Sequence, residues 1–119
     1  NSMGRLTTHI LDTANGCPAS GVTINLFSVG GDGKLIAINS VVTNSDGRCD
    51  SAVLDGDAFG IGVYELQFHV GAYFKDGSVS GAPAFLDIVP VRFGISAAEE
   101  HYHVPLLISP FGYSTYRGS

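Results

Sequence analysis

Between Tyr64 and Val70 the chain alternates strictly: Tyr64, Leu66, Phe68 and Val70 are apolar, and Glu65, Gln67 and His69 are polar. A period of two sends successive side chains to opposite faces, so this segment predicts a half-buried β-strand with one wet face. Comparable runs rich in β-branched and aromatic residues span 6–12, 22–29, 34–42, 85–93, 101–108 and 111–116, with a short strand around Val53 and Leu54. Turn signals separate them: Asn15-Gly16, Gly30-Gly31-Asp32-Gly33 and Asn44-Ser45-Asp46-Gly47. The one helix expected, about two turns, lies in 71–79 and is ended by Gly81-Ala82-Pro83. Pro90 and Pro105 restrict hydrogen bonding on one side of their strands. About eight short strands and one short helix predict an all-β sandwich or barrel.

Length and charge narrow the setting. The 119 residues (12.4 kDa) suit a single domain over 5–119, with 1–4 as a flexible N-terminal leader. Six Lys and Arg against eleven Asp and Glu leave a net charge of −5, which argues against nucleic acid or an anionic membrane as partner. Charged residues make up only 14% of the chain and apolar ones 45%, so surplus apolar surface and self-association are expected. No apolar run approaches the ~18 residues of a membrane span, and 1–4 holds no hydrophobic signal core. A cytoplasmic protein is therefore expected, a signal already cleaved away being the open alternative. Cys17 and Cys49 make neither a secreted-type framework nor a four-ligand zinc site, and read as free thiols.

The candidate chemistry rests on histidines and arginines. His69 lies on the wet face of its strand, the place of an ordinary surface residue. In 6–12, Leu6, Thr8 and Ile10 face one way and Thr7, His9 and Leu11 the other, a mixed face that suits a pocket or a subunit contact. His101 and His103 share one side of their strand, opposite apolar Tyr102, Val104, Leu106 and Ile108. His103 sits deeper, among Pro105 and Leu107, where burial favours a neutral imidazole able to act as a base. A structural histidine is the alternative for both His9 and His103. His101, at the strand edge beside Glu99 and Glu100, reads as a solvated cap. A His-x-His pair with a distant third histidine could also hold zinc with an open position for hydroxide. Arg48, after the Asp46-Gly47 turn, is either an exposed arginine or a fork for a planar oxyanion. The hydroxyl-rich tail 113–119 reads as docked rather than frayed. No Gly-rich phosphate loop, GxSxG elbow or Cys-His-Asn pattern is present, so no cofactor and no familiar nucleophile is expected.

Three separated motifs then converge: Leu6-Thr7-Thr8-His9-Ile10-Leu11-Asp12 with Gly16-Cys17-Pro18-Ala19, then Thr43-Asn44-Ser45-Asp46-Gly47-Arg48, and His101-Tyr102-His103-Val104-Pro105-Leu106-Leu107 running into Tyr113-Ser114-Thr115-Tyr116-Arg117-Gly118-Ser119. Together they resemble the 5-hydroxyisourate hydrolases, the transthyretin-related family of purine catabolism, from Arg5 onward. The closing Tyr116-Arg117-Gly118-Ser119 is the most specific mark. The resemblance implies a transthyretin-like β-sandwich of two four-stranded sheets with one short helix, and a homotetramer with active sites at the dimer–dimer interface. It implies catalytic His9, Arg48 and His103, a substrate pocket shaped by Tyr116, Arg117, Gly118 and Ser119, no metal, and hydrolysis of a cyclic amide. Cys17, Cys49 and the 81–83 segment depart from the family pattern without touching that chemistry. The alternative is a transthyretin-type carrier of a small hydrophobic ligand. Carriers hold lysine, glutamate and threonine where this chain has His9, Arg48 and His103, and they lack the closing tetrapeptide.

Overall fold

A computed structural model of the chain describes residues 4–75 and 83–118. In chain order the elements are β1 (Arg5–Asp12), β2 (Cys17–Pro18), β3 (Thr23–Val29), β4 (Leu35–Val42), β5 (Leu54–Asp55), β6 (Gly62–His69), α1 (Val70–Phe74), β7 (Ile88–Ile95), β8 (His101–Ser109) and β9 (Gly112–Thr115). They form two sheets. The first runs β2-β1-β8-β9, with β5 also paired to β1; the second runs β4-β3-β6-β7. The all-β sandwich with one short helix is the architecture expected, and the periodicity explains it: Leu6, Ile10, Ile24, Leu26, Leu66, Phe68, Leu106 and Ile108 all turn inward and are fully buried.

The first sheet carries five strand segments where four were expected, because the edge of β1 away from β8 is covered piecemeal. β5 pairs with Arg5 and Leu6, Arg48 bridges His9, and β2 pairs with Leu11 and Asp12. The loops between these pieces complete the hydrogen bonding. Leu6 O accepts from Val53 N at 2.8 Å, Ile10 N donates to Gly47 O at 2.8 Å and Ile10 O accepts from Ala19 N at 2.9 Å. β2, a two-residue pairing after the Asn15-Gly16 turn, is too short for any periodic signal and brings the strands to nine.

Three further expectations shift. Glu65, assigned to the wet face, is buried: its carboxylate accepts from Arg92 Nε at 2.9 Å and Gln67 Nε2 at 2.8 Å, and Arg92 is its register partner across β6 and β7. A carboxylate tolerates burial when a cation and a second donor satisfy it. His69 is half-buried at the start of α1, where its Nε2 accepts from Asn25 Nδ2 at 3.0 Å. The helix has five residues, Val70–Phe74, and the rest of the expected 71–79 span beyond Lys75 lies outside the described residues. The 1–4 leader also lies outside them except for Gly4, which is buried and donates its N–H to Ala98 O at 3.1 Å.

Residues 44–48 form the turn that supports β1 and delivers Arg48. Asn44 Oδ1 accepts from the backbone N–H of Asp46 at 2.9 Å and of Arg48 at 3.2 Å, and Asn44 N donates to Arg48 O at 2.7 Å. Gly47 sits at φ +73°, and a Cβ there would collide with the carbonyl oxygen of Ile10, the residue whose N–H the Gly47 carbonyl accepts. Gly47→Ala should therefore cost about 2 kcal/mol or more of stability, read as a lowered midpoint in chemical denaturation; an unchanged midpoint would show that the turn relaxes freely.

Candidate active site

β1 and β8 lie side by side in parallel register, Arg5 against His101, Thr7 against His103 and His9 against Pro105. Since alternate residues share a face, Arg5, Thr7 and His9 of β1 and His101 and His103 of β8 form one patch on the outer side of the first sheet. Arg48 joins it from the turn beside His9. A pocket of about 360 Å³ opens here, with Arg5, Thr7, Arg48, Asp50, His101 and His103 in its wall. Its size suits a small ligand. His9 stands beside the pocket rather than in its wall, close enough for Arg48 to act on its charge and for His9 to act on that of His103.

Thr7 is the hub of the polar contacts. Its Oγ1 is 2.7 Å from His101 Nε2 and 2.7 Å from His103 Nδ1. His103 is also gripped from its other side, where the Gly118 N–H donates to the His103 carbonyl at 2.7 Å. A Cβ on Gly118 would lie 2.7 Å from His103 Cδ2, so glycine is the residue that lets the tail approach the imidazole this closely.

The arginines divide by commitment. Arg92 is held by Glu65. Arg117 pairs with Glu100 at 3.0 Å and lies 3.9 Å over the Tyr102 ring, so its guanidinium serves to dock the tail. Arg5 and Arg48, both in the pocket wall, are held by no carboxylate among the described residues. Two exposed guanidinium forks with free donors face the space a ligand would fill, and such forks suit an electron-rich oxygen.

Burial is the main cause holding all three imidazoles below the ordinary 6.5; Arg48 adds to it at His9, Arg5 at His101, and Arg48, His101 and His9 at His103. The rings are therefore neutral at pH 7, the form that can accept a proton. Cys49, in the pocket wall, is pushed the other way: burial and then Asp50 raise its thiol, which leaves it a poor nucleophile. Among the described residues no three His, Cys, Asp or Glu side chains converge as metal ligands; His101 and His103 each turn a nitrogen to Thr7.

The three residues read from sequence, His9, Arg48 and His103, thus come together. In the tail, Gly118 reaches His103, Tyr116 is exposed, Arg117 is spent on Glu100, and Ser119 lies outside the described residues. The sequence places Thr7 on the His9 face without giving it a role, gives no role to Arg5, and makes His101 read as a solvated cap. His101 is indeed exposed, yet it belongs to the site through Thr7. The signal was available, since Arg5 and Thr7 precede His9 by steps of two on the same strand face.

Residues 6–118 match the HIUase/Transthyretin family, and the chain belongs to it. A 5-hydroxyisourate hydrolase 2 of Rhizobium meliloti is 57% identical over 117 residues, covering 98% of this chain and 97% of that protein. Among solved structures, the 5-hydroxyisourate hydrolase of Klebsiella pneumoniae superposes with a TM-score of 0.79 at 36% identity, covering 97% of this chain and 99% of that one. An (S)-allantoin synthase superposes with a TM-score of 0.92 at 44% identity; all of this chain is covered, but it spans only 45% of that longer protein.

The electrostatics can be tested without substrate. Removing a nearby cation makes protonation easier, so Arg48→Ala should raise the titration midpoints of His9 and His103 and leave that of His101 in place, read from the ring proton resonances across pH 4–8. Equal movement of all three, or of none, would show that Arg48 does not face the two rings as described.

Proposed function

We propose that this chain hydrolyses 5-hydroxyisourate to 2-oxo-4-hydroxy-4-carboxy-5-ureidoimidazoline, a step of urate catabolism. The observation that carries the reading is the meeting of two imidazoles and an uncommitted guanidinium at one small pocket, in a chain 57% identical to a curated 5-hydroxyisourate hydrolase. Hydrolysis of a cyclic amide requires a proton to leave water, charge to be held on a carbonyl oxygen, and a proton to reach the departing nitrogen. Neutral His103 takes the water proton. The hydroxide adds to the ring carbonyl and Arg48 donates to the oxygen as it gains negative charge. The carbonyl re-forms as the C–N bond breaks, and the ring nitrogen leaves with a proton supplied from the imidazoles, His9 being placed to orient the water or to give that proton.

The same reading includes a homotetramer with sites at the dimer–dimer interface, where Tyr116, Arg117, Gly118 and Ser119 shape the substrate pocket, and a cytoplasmic location. Exposed Ile36, Ile61, Phe85 and Phe111 fit a chain that covers apolar surface by association. Among the described residues no helix is long and apolar enough to cross a membrane. A carrier role has less support, because a base pair of imidazoles beside an open guanidinium serves bond-breaking better than it serves a hydrophobic ligand.

An ultraviolet trace of freshly generated 5-hydroxyisourate should decay faster with this protein and at the spontaneous rate with the His9→Ala/His103→Ala double variant. His103→Ala alone should lower kcat by about 10²-fold or more; near-normal turnover would remove it from the mechanism. Because His103 must be neutral to work and its pKa is lowered, kcat/KM should hold as pH falls to 6.5 and be lost only below it. An acid limb centred above 6.5 would contradict the assignment. Deleting 116–119 should abolish activity, and a fully active truncation would show the tail to be dispensable.

A further inference from the structure

The Thr7 hydroxyl has one proton to donate and lone pairs to accept with, yet it lies 2.7 Å from a ring nitrogen of each of two histidines. Both contacts are hydrogen bonds and the hydroxyl proton is also used only if the hydroxyl donates to one nitrogen and accepts from an N–H on the other ring; accepting from both rings would leave that proton without a partner among the described residues. The tautomers of His101 and His103 are therefore linked through one oxygen. With both rings neutral there are two arrangements that use the hydroxyl proton. In the first, His103 Nδ1–H donates to Thr7 Oγ1, and Thr7 donates to a bare His101 Nε2. In the second, His101 Nε2–H donates to Thr7, and Thr7 donates to a bare His103 Nδ1, which places the His103 proton on Nε2.

Of these two, the first leaves His103 a free lone pair at Nε2. The geometry favours that atom as the working one. Nδ1 is taken by Thr7, the Cδ2 edge faces Gly118, and no hydrogen bond is made to Nε2 among the described residues. His103 shares the pocket wall with Arg48, and a guanidinium across the pocket favours a lone pair there over an N–H.

We propose that Thr7 and His101 are positioning residues: the Thr7 hydroxyl, held in its donating sense by His101 Nε2, locks His103 in the Nδ1–H tautomer and leaves Nε2 as the base. This rests on the reading of His103 as the base.

The tautomer can be read directly from the imidazole ¹⁵N resonances of the unliganded protein at pH 7.5. The expected result is a protonated Nδ1 and a bare Nε2 on His103. Thr7→Val, which keeps the shape and strand preference of threonine, should lose that signature and lower kcat by about 10-fold or more with KM changed less than about 2-fold. Thr7→Ser should restore both, and His101→Gln, whose amide oxygen can still accept from Thr7, should keep His103 in the same tautomer. A wild-type His103 protonated at Nε2, or a Thr7→Val protein with unchanged tautomer and rate, would overturn the proposal. If instead His103→Ala stays active, the base assignment fails while the spectrum still reports whether Thr7 sets the tautomer.

Discussion

Parallel pairing of β1 with β8 joins residues about as far apart in sequence as this chain allows, with Thr7 and His103 separated by 96 positions. Every group in the site depends on that register. A slip of one residue would turn Leu6, Thr8 and Ile10 outward and bury Thr7 and His9, so the cost of exposing side chains that are now inside also protects the alignment of the histidine face. The core and the chemistry are thus specified by opposite sides of the same two strands. On its remaining edge β1 has no full-length neighbour, and the pieces that fill it are loops as much as strands. That is how Arg48, on a turn, comes to stand beside His9: the turn is present because β1 needs a partner for the amide of Ile10, and the arginine follows one residue later.

Charge is distributed with the same economy. Arg92 and Arg117 neutralise carboxylates and hold elements together, while Arg5 and Arg48 stay exposed beside three imidazoles, with no carboxylate paired to them among the described residues. Unpaired cations next to histidines would be unfavourable if those rings were charged. Burial and the arginines act in the same direction and keep them neutral. Electrostatic strain is thereby avoided in the resting protein, and the positive charge is left open to an electron-rich oxygen.

Much of this was legible in the chain. Period-two alternation located the long strands and the inward faces, and the His9 and His103 faces followed from it. What alternation could not show was pairing across the sheet. Glu65 reads as a wet residue until Arg92 is known to lie opposite it, and His101 reads as a cap until Thr7 is known to lie between it and His103. β2 escapes because two residues carry no period. The tail's docking was visible as hydroxyl-rich, strand-like sequence, but the need for glycine at 118 emerges only from the 2.7 Å approach to the His103 ring.

A hydroxyl differs from the carboxylate that orients histidines in many hydrolases. A carboxylate beside His103 Nδ1 would fix the same tautomer, but its charge would stabilise the imidazolium and raise the pKa, against the direction in which burial and Arg48 move it here. A neutral hydroxyl orients the ring without that penalty, and it needs an acceptor to hold its own proton in place. His101 supplies one, and its position two residues before His103, on the same strand face, makes the pair reachable by a single side chain from the neighbouring strand. In this fold the His-x-His spacing is therefore read best as one donor and one acceptor sharing one threonine, with the deeper ring kept neutral and directed and the outer ring left at the solvent edge.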